Sequence, residues 1–323
     1  MPLPLRAAAC VAVLSVTLGL TGCRSALESL ALRPFYRHAD LPAANVTDGV
    51  AYGPDAKQRL TLFLPVADSV RHRPWPTVVF VHGGSWTEGD RALTVGGEDI
   101  YGNIGRFFAS HGIGAATVSY RLLPGVSWPD QIADVAAATA RVREWAVQAG
   151  GDPGGLVLMG HSAGAQLAAR VVLDRAVQAA AGLPEGSVCG AIPVSGAGLD
   201  LTDAESFRLA DDYDFYARRF GPPGAEVPSE PPAVPADWQA AASVVPLVTP
   251  DAPPFLILHA SRDYDALPRQ SALLDEALVA AGVPSRVVVV PRSTHLLIVP
   301  TLSRDHRTAG PEMLAFVRGL ACQ

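Results

Sequence analysis

The chain has 323 residues, of which 49% are apolar and 17% are charged. Such a chain can bury one large hydrophobic core, and α/β domains often reach this length without dividing. Its formal net charge is -6 and its basic residues form no run, so the sequence excludes the basic surface that binds nucleic acid. The 28 Pro and 30 Gly residues lie among recurring apolar segments, which is typical of a packed enzyme with many loops.

Residues 1–22 have the layout of a secretory signal. Arg6 precedes an apolar run from Ala7 to Leu20, and the run ends in small residues before Cys23. An apolar stretch this short does not span a bilayer comfortably, so a transmembrane helix is the weaker interpretation. We therefore predict a signal peptide of the lipoprotein type, and hence an exported protein.

The tetrad Leu20-Thr21-Gly22-Cys23 resembles the lipobox of bacterial lipoproteins. The resemblance implies that Cys23 becomes the mature N-terminus and carries acyl chains, palmitate among them, that hold the protein to a membrane. Residues 23–46 are then the lipid anchor and tether. Arg24 replaces the Asp that inner-membrane lipoproteins often carry, which favours the outer membrane or the periplasmic face if the cell is Gram-negative. The alternative is an ordinary cysteine near a conventional cleavage site.

Two cysteines remain for the folded domain, Cys189 and Cys322, because Cys10 leaves with the signal. An oxidising compartment permits them to pair, but two cysteines so far apart form no recognisable disulfide framework, so the sequence favours free thiols. Neither has a metal-ligand spacing, and no His-Glu-x-x-His motif is present. We predict neither a metal nor another cofactor.

Strand and helix patterns alternate along the rest of the chain, which predicts a doubly wound α/β sheet with helices on both faces. A helix with one apolar face is predicted over residues 130–148. In such a sheet the ligand site lies at the carboxyl ends of the strands, so a catalytic residue should directly follow a strand. The predicted strands are residues 59–64, 77–81, 115–119, 156–159, 191–194, 255–259 and 286–290.

The alternation stops over residues 199–247, a Pro-rich segment that we interpret as a small cap inserted into a catalytic domain of residues 47–323. A cap of this kind shapes the pocket. Trp86 and Trp128 are candidates for the cleft wall, although aromatic residues more often lie in the core.

Gly160-His161-Ser162-Ala163-Gly164 follows a predicted strand and opens an apolar helical run. This arrangement is the nucleophile elbow, in which a sharp turn between small residues exposes a serine at the tip. The pattern is weak by itself, but its position between a strand and a helix makes it specific. The sequence therefore predicts Ser162 as the nucleophile.

His82-Gly83-Gly84-Ser85-Trp86 directly follows the strand at residues 77–81. Glycines after this strand expose the backbone N–H groups of an oxyanion hole, which stabilise the negative charge that forms on a carbonyl oxygen under attack. We predict that Gly84, Ser85 and Ala163 donate and that Gly83 forms the turn. His82 is expected to brace this loop.

Asp263 and His295 each follow a predicted strand, and they come after Ser162 in the order Ser, Asp, His that this kind of sheet uses. His295 is predicted to be the general base and Asp263 the acid that orients it. Asp265 is the alternative candidate for the acid that orients His295. Asp263 is preferred because it lies nearer the strand end.

Five motifs together resemble the hormone-sensitive-lipase and carboxylesterase branch of the α/β-hydrolases, over residues 50–320. The closest likeness is to its arylformamidase-like and feruloyl-esterase-like members. The resemblance implies an eight-stranded, mostly parallel sheet and a serine hydrolase. Two departures, Ala260 in place of a common Gly and the Pro-rich segment, concern the pocket. The motifs are GHSAG at 160–164, HGGSW at 82–86, YRLLP at 120–124, GDP at 151–153 and LHxxxD at 258–263.

The predicted reaction is hydrolysis of a small-molecule carboxylic ester through an acyl-enzyme. The first alternative is an arylformamidase-like amidase, which the same motifs support. The second is a binding lipoprotein that has kept the fold without catalysis, which the apparently intact triad disfavours. The sequence carries no signal of the oligomeric state.

Overall fold

The computed structural model describes residues 45–322, apart from residues 71–73, 96–97, 211, 225–231, 233 and 306. The predicted signal peptide, Cys23 and almost all of the predicted tether lie outside the described residues. None of the helices in the described ranges combines the length and apolarity that crossing a membrane requires.

An eight-stranded sheet forms the centre of the domain, and a two-stranded ribbon lies beside it. The strands of the large sheet stand in the order β1-β2-β6-β3-β7-β8-β9-β10, with β2 antiparallel to both of its neighbours and the strands from β6 to β10 parallel. This confirms the predicted fold class. The strands are β1 (Val46–Ala51), β2 (Arg59–Phe63), β3 (Trp75–Val81), the ribbon strands β4 (Thr94–Val95) and β5 (Glu98–Asp99), β6 (Gly114–Val118), β7 (Gly151–His161), β8 (Val188–Val194), β9 (Phe255–Arg262) and β10 (Ser285–Thr294).

Helices cover both faces of the sheet, and the sheet separates two hydrophobic cores, one on each face. Successive side chains of β3 alternate between the two cores: Val79 and Val81 pack on one face, Val78 and Phe80 on the other. Both faces are therefore dry, which explains the short continuous apolar runs in the sequence. The described helices are α1 (Ile100–Ser110), α2 (Trp128–Ala149), α3 (Ala163–Leu173), α4 (Arg175–Ala180), α5 (Ala204–Ala210), α6 (Tyr213–Phe220), α7 (Asp237–Ala242), α8 (Leu267–Ala280) and α9 (Ala309–Gly319).

The edge strand β1 has no counterpart among the predicted strands. Most of its residues are exposed, and Val46 itself is 40% exposed. A strand without a buried face lacks the alternation of apolar and polar residues by which a half-buried strand is recognised. Pairing with β2, and not side-chain burial, defines it.

The helices α5, α6 and α7 lie between β8 and β9, in the segment that we interpret as a cap. Phe207 of α5 packs edge to face on Tyr213 and Tyr216 of α6, and Tyr216 and Phe220 pack edge to face on Trp86. Trp238 of α7 contacts Tyr213. Trp86 belongs to the loop after β3, so the packing of these rings couples the helices to that loop.

Cys189 and Cys322 form a disulfide with their Cα atoms 5.4 Å apart. The expectation of free thiols is therefore wrong. Cys189 lies in β8, and α9 packs so closely on this strand that a side chain at Gly190 would meet Leu320. The sequence separation of 133 residues conceals this proximity, because tertiary packing of the last helix creates it.

Candidate active site

Each of the three predicted catalytic residues is the first residue after a strand. β7 ends at His161, β9 at Arg262 and β10 at Thr294, so Ser162, Asp263 and His295 follow without a gap. The strands are longer at this end than the apolar runs suggest. Because β7, β9 and β10 are parallel members of one sheet, their carboxyl ends bring the three side chains to the same edge.

Ser162 occupies a strained turn between β7 and α3. Its φ is 55° and its ψ is -120°, a backbone conformation that residues other than glycine rarely adopt. Its amide donates to the carbonyl of Val194 at 2.9 Å, and its carbonyl accepts from Ala165 at 3.0 Å. A Cβ at Gly164 would lie only 2.3 Å from the carbonyl oxygens of Val81 and His82, so this turn requires glycine there.

The three side chains form one chain of hydrogen bonds. His295 Nε2 lies 3.0 Å from Ser162 Oγ, and His295 Nδ1 lies 2.8 Å from Asp263 Oδ1. The side chain of His295 is 8% exposed and that of Asp263 is fully buried. These distances are within the reach of a base that deprotonates a hydroxyl and an acid that orients the base. Asp265 is exposed and makes no described contact with His295.

Asp263 is held as a carboxylate by four donors. Oδ1 also accepts from the Tyr264 amide at 3.0 Å, while Oδ2 accepts from Ser195 Oγ at 2.5 Å and from the Ala260 amide at 3.0 Å. Burial alone raises the pKa of Asp263, but the hydrogen bonds from His295 and Ser195 outweigh it and lower the pKa. The carboxyl group therefore stays ionised opposite the imidazole.

Ser195 was not predicted to be part of the site. It is completely buried, follows the last residue of β8 and has a positive φ of 47°. The position directly after a strand is the signal by which it could have been found. A serine held in this strained conformation and bonded to Asp263 acts as a positioning residue for the acid.

The predicted oxyanion residues lie beside the nucleophile. A Cβ at Gly83 would come within 3.1 Å of the Cβ of Ser162, so the loop touches the elbow directly. Within the described chain no group accepts a hydrogen bond from the amides of Gly84 and Ser85. Ala163 is the first residue of α3, and the first amides of a helix have no carbonyl partner within the helix. The three N–H groups are thus available to a substrate oxygen.

The oxyanion loop, His82–Trp86, is held in an unusual conformation by its last residue. Ser85 and Trp86 have φ values of 52° and 63°. The Trp86 indole donates to Gln166 Oε1 at 2.9 Å, and its carbonyl accepts from Gln131 Nε2 at 2.8 Å. Trp86 is fully buried and therefore belongs to the core, whereas the second cleft candidate, Trp128, is half-buried.

Two further histidines brace the site in their neutral forms. His82 stacks on Tyr120 at 4.4 Å and hydrogen-bonds the Gly83 carbonyl through Nδ1, and burial lowers its pKa to about 4. His161 donates through Nε2 to the carbonyl of His295 at 3.0 Å, and burial lowers its pKa to about 3. The site therefore receives no positive charge from either ring at neutral pH.

The lowered pKa values of these two histidines predict a loss of folding stability on mild acidification. Each is neutral in the folded protein but protonates near pH 6.5 when unfolded, so the unfolded state binds more protons as the pH falls from 6.5 toward 4. The stabilisation present above pH 6.5 is lost as the pH falls through that window, by about 3 kcal/mol for each histidine. Urea unfolding at pH 7, 5.5 and 4 measures it, and an unchanged free energy of unfolding would contradict the prediction.

An aromatic ring covers the outer side of the catalytic imidazole. The ring of Tyr264 lies 4.5 Å from that of His295 and is 60% exposed, and Leu296 beside it is 54% exposed. Sequence reasoning missed this pair, since nothing in a single sequence distinguishes an exposed Tyr at the site from one elsewhere. The Tyr264 ring thus forms an aromatic rim beside the imidazole of His295.

Among the described residues there is no group of three or more His, Cys, Asp or Glu side chains that could hold a metal ion.

Most of the domain matches a family of known proteins. The sequence model of a family described as alpha/beta hydrolase fold matches residues 78–299, from β3 to the segment after His295. All of the predicted catalytic and oxyanion residues lie within the matched range.

Curated relatives of the chain include several esterases. Esterase LipQ of Mycobacterium tuberculosis is 31% identical, over 81% of this chain and 60% of LipQ. Esterase LipC of the same species is 33% identical, over 66% of this chain and 50% of LipC. Isoprenylcysteine α-carbonyl methylesterase of Arabidopsis thaliana is 28% identical, over 77% of this chain and 56% of that protein. The chain thus spans 50% to 60% of the length of these relatives.

Solved structures with the same fold also include esterases. Esterase B from Lactobacillus rhamnosis superimposes with a TM-score of 0.67 at 22% identity, covering 92% of this chain and 90% of that one. A hyperthermophilic esterase from the archaeon Pyrobaculum calidifontis superimposes with a TM-score of 0.64 at 22% identity, covering 93% of this chain and 92% of that one. At these identities the likeness concerns the fold alone.

Proposed function

The chain belongs to the α/β-hydrolase fold family, and from that premise we propose that it is a serine hydrolase that cleaves carboxylic esters. The observation that carries the proposal is the unbroken chain of hydrogen bonds from Ser162 through His295 to Asp263, beside amides that have no partner in the described protein. The esterase names of its relatives support the same reaction.

In the first half of the reaction His295 Nε2 takes the proton of Ser162 as Oγ attacks the ester carbonyl. The carbonyl oxygen becomes an oxyanion and accepts hydrogen bonds from the amides of Gly84, Ser85 and Ala163. The protonated imidazole is stabilised by Asp263 and gives its proton to the departing alcohol, which leaves an acyl group on Ser162.

In the second half a water molecule takes the place of the alcohol. His295 removes its proton as the water oxygen attacks the acyl carbonyl, and the same amides hold the second oxyanion. The tetrahedral intermediate then collapses, the Ser162 oxygen takes the proton back from His295, and the carboxylic acid leaves. The original proton of Ser162 leaves with the alcohol and a proton from water replaces it, so Ser162, His295 and Asp263 return to their starting protonation states.

A panel of p-nitrophenyl esters of rising acyl length, run beside feruloyl esters and formylkynurenine, tests the proposal. We expect hydrolysis of at least one ester series and covalent labelling by a fluorophosphonate. Turnover of formylkynurenine with no turnover of any ester would instead favour the formamidase. Absence of both turnover and labelling would favour a binding protein.

We also propose that the protein is exported and attached to a bacterial membrane through lipid on Cys23. The lipobox-like tetrad supports this. So does the disulfide between Cys189 and Cys322, because such bonds persist in oxidising compartments. Metabolic labelling with an alkyne analogue of palmitate tests the attachment, and equal labelling of a Cys23→Ser variant would contradict it.

A further inference from the structure

Arg219 is a cation at the oxyanion loop without a carboxylate partner among the described residues. It lies in α6, where its Nε donates to the carbonyl of Ser85 at 2.9 Å and its Nη1 to the carbonyl of Phe215 at 2.8 Å. The guanidinium carbon is 3.4 Å from the centre of the Phe215 ring. The adjacent Arg218 contrasts with it, because Arg218 is exposed and pairs with Asp214 at 2.8 Å.

Among the residues that the structure describes, no carboxylate compensates the charge of Arg219. The residue is half-buried, and burial lowers its pKa, although it remains fully protonated. Its described partners are two neutral carbonyls and an aromatic face, and no described group accepts a hydrogen bond from Nη2. A guanidinium that is partly removed from water and fixed in position binds an incoming carboxylate at little further entropic cost.

The contact with Ser85 also limits the distance from Arg219 to the carbonyl of a bound substrate. The amide nitrogen and carbonyl oxygen of one residue are at most about 3.6 Å apart, so Arg219 Nε lies within roughly 6.5 Å of the Ser85 amide. A substrate oxyanion lies about 3 Å from that amide. Arg219 Nε therefore lies at most about 9.5 Å from the oxyanion. A carboxylate separated from the ester carbonyl by two or three carbon atoms extends about 4 to 5 Å from it, and a hydrogen bond adds about 3 Å, so such a carboxylate can reach the guanidinium within this limit.

We propose that Arg219 binds a carboxylate of the substrate, so that the enzyme prefers esters whose acyl group carries a second, free carboxylate, such as monoesters of four- and five-carbon dicarboxylic acids. The inference rests on the proposed esterase function and names its substrate class. The competing explanation is that Arg219 only ties α6 to the oxyanion loop and so positions Ser85.

The test compares esters matched in length and different in charge. With the full chain, kcat/KM is measured for p-nitrophenyl hemiglutarate and for p-nitrophenyl valerate. We expect Arg219→Gln to lower kcat/KM for the hemiglutarate by about 10- to 100-fold, which is the usual effect of losing a charge-assisted hydrogen bond. Turnover of the valerate should change less than about threefold, and Arg219→Lys should retain part of the preference. The matched control is Arg218→Gln, which should leave both substrates unaffected.

The outcomes separate the explanations. An equal loss for both substrates in Arg219→Gln would make Arg219 a positioning residue of the loop and would overturn the proposal, as would an equal effect of Arg218→Gln. If the unaltered enzyme hydrolyses the valerate but shows no preference for the hemiglutarate, the inference fails while the esterase function stands. If it hydrolyses neither ester, both fail.

A measurement on the unaltered protein removes any dependence on the folding of the variants. Free glutarate should inhibit hydrolysis of the neutral valerate ester competitively, whereas free valerate at the same ionic strength should inhibit at least tenfold more weakly. Equal inhibition by the two acids would overturn the proposal.

Discussion

Replacing Ser162 by alanine should lower kcat by about five to six orders of magnitude, since loss of the nucleophile removes the acyl-enzyme route altogether. The substitution deletes only Oγ. The amide of residue 162 keeps its hydrogen bond to Val194 and its carbonyl keeps the bond from Ala165, so the elbow and the neighbouring amides should remain in place. The melting temperature should therefore change little while the activity disappears.

The measurement is steady-state hydrolysis of the best ester of the panel together with fluorophosphonate labelling of the same sample. Ser261→Ala is a matched control, because Ser261 is an exposed serine close to the acid in sequence and makes no described contact with the triad. Retention of more than a hundredth of the activity by Ser162→Ala would show that another nucleophile carries the reaction.

Replacing Asp263 by asparagine should lower kcat by about four orders of magnitude. Both carboxylate oxygens accept two hydrogen bonds, and each oxygen faces one backbone amide, that of Tyr264 or that of Ala260. An asparagine side chain must turn its NH2 group toward one of these amides, so either orientation opposes at least one backbone N–H donor. If the NH2 faces His295, the imidazole is also pushed into the wrong tautomer for accepting the Ser162 proton.

Asp265→Asn is the matched control for this substitution, because Asp265 lies two residues away and is exposed. We expect it to retain nearly full activity. A large loss in Asp265→Asn with a small loss in Asp263→Asn would reverse the assignment of the acid. A pH profile of kcat for each variant adds a readout that simple destabilisation would not change.

The residues of the triad could be predicted because two independent signals coincide at each of them. A short apolar run marks a buried strand, and a residue whose side chain suits a nucleophile, an acid or a base follows it. The ends of the strands could not be predicted as well. β10 continues past Val290 through a pairing irregularity to Thr294, and β9 reaches Arg262, beyond the apolar core. Backbone pairing extends these strands where side-chain burial no longer does.

Contacts made across the tertiary structure were out of reach of the sequence. The bond between Ser195 and Asp263 joins two strand ends, and the bond between Arg219 and Ser85 joins a cap helix to the oxyanion loop. Neither pair has a spacing that local structure imposes. The same holds for Cys189 and Cys322, whose pairing depends on where α9 docks. Seven of the eight strands of the large sheet could be predicted, but not these three contacts between distant elements.

The disulfide divides the candidate site into two topologically different parts. It closes a covalent ring of the chain from residue 189 to residue 322, which includes Asp263, His295 and helices α5 to α7, whereas Ser162 and the oxyanion loop precede the ring. A peptide bond cut anywhere inside a ring leaves every part of it attached. A protease that cleaves the chain once between β8 and β9 therefore cannot detach Asp263 and His295 from the rest of the domain.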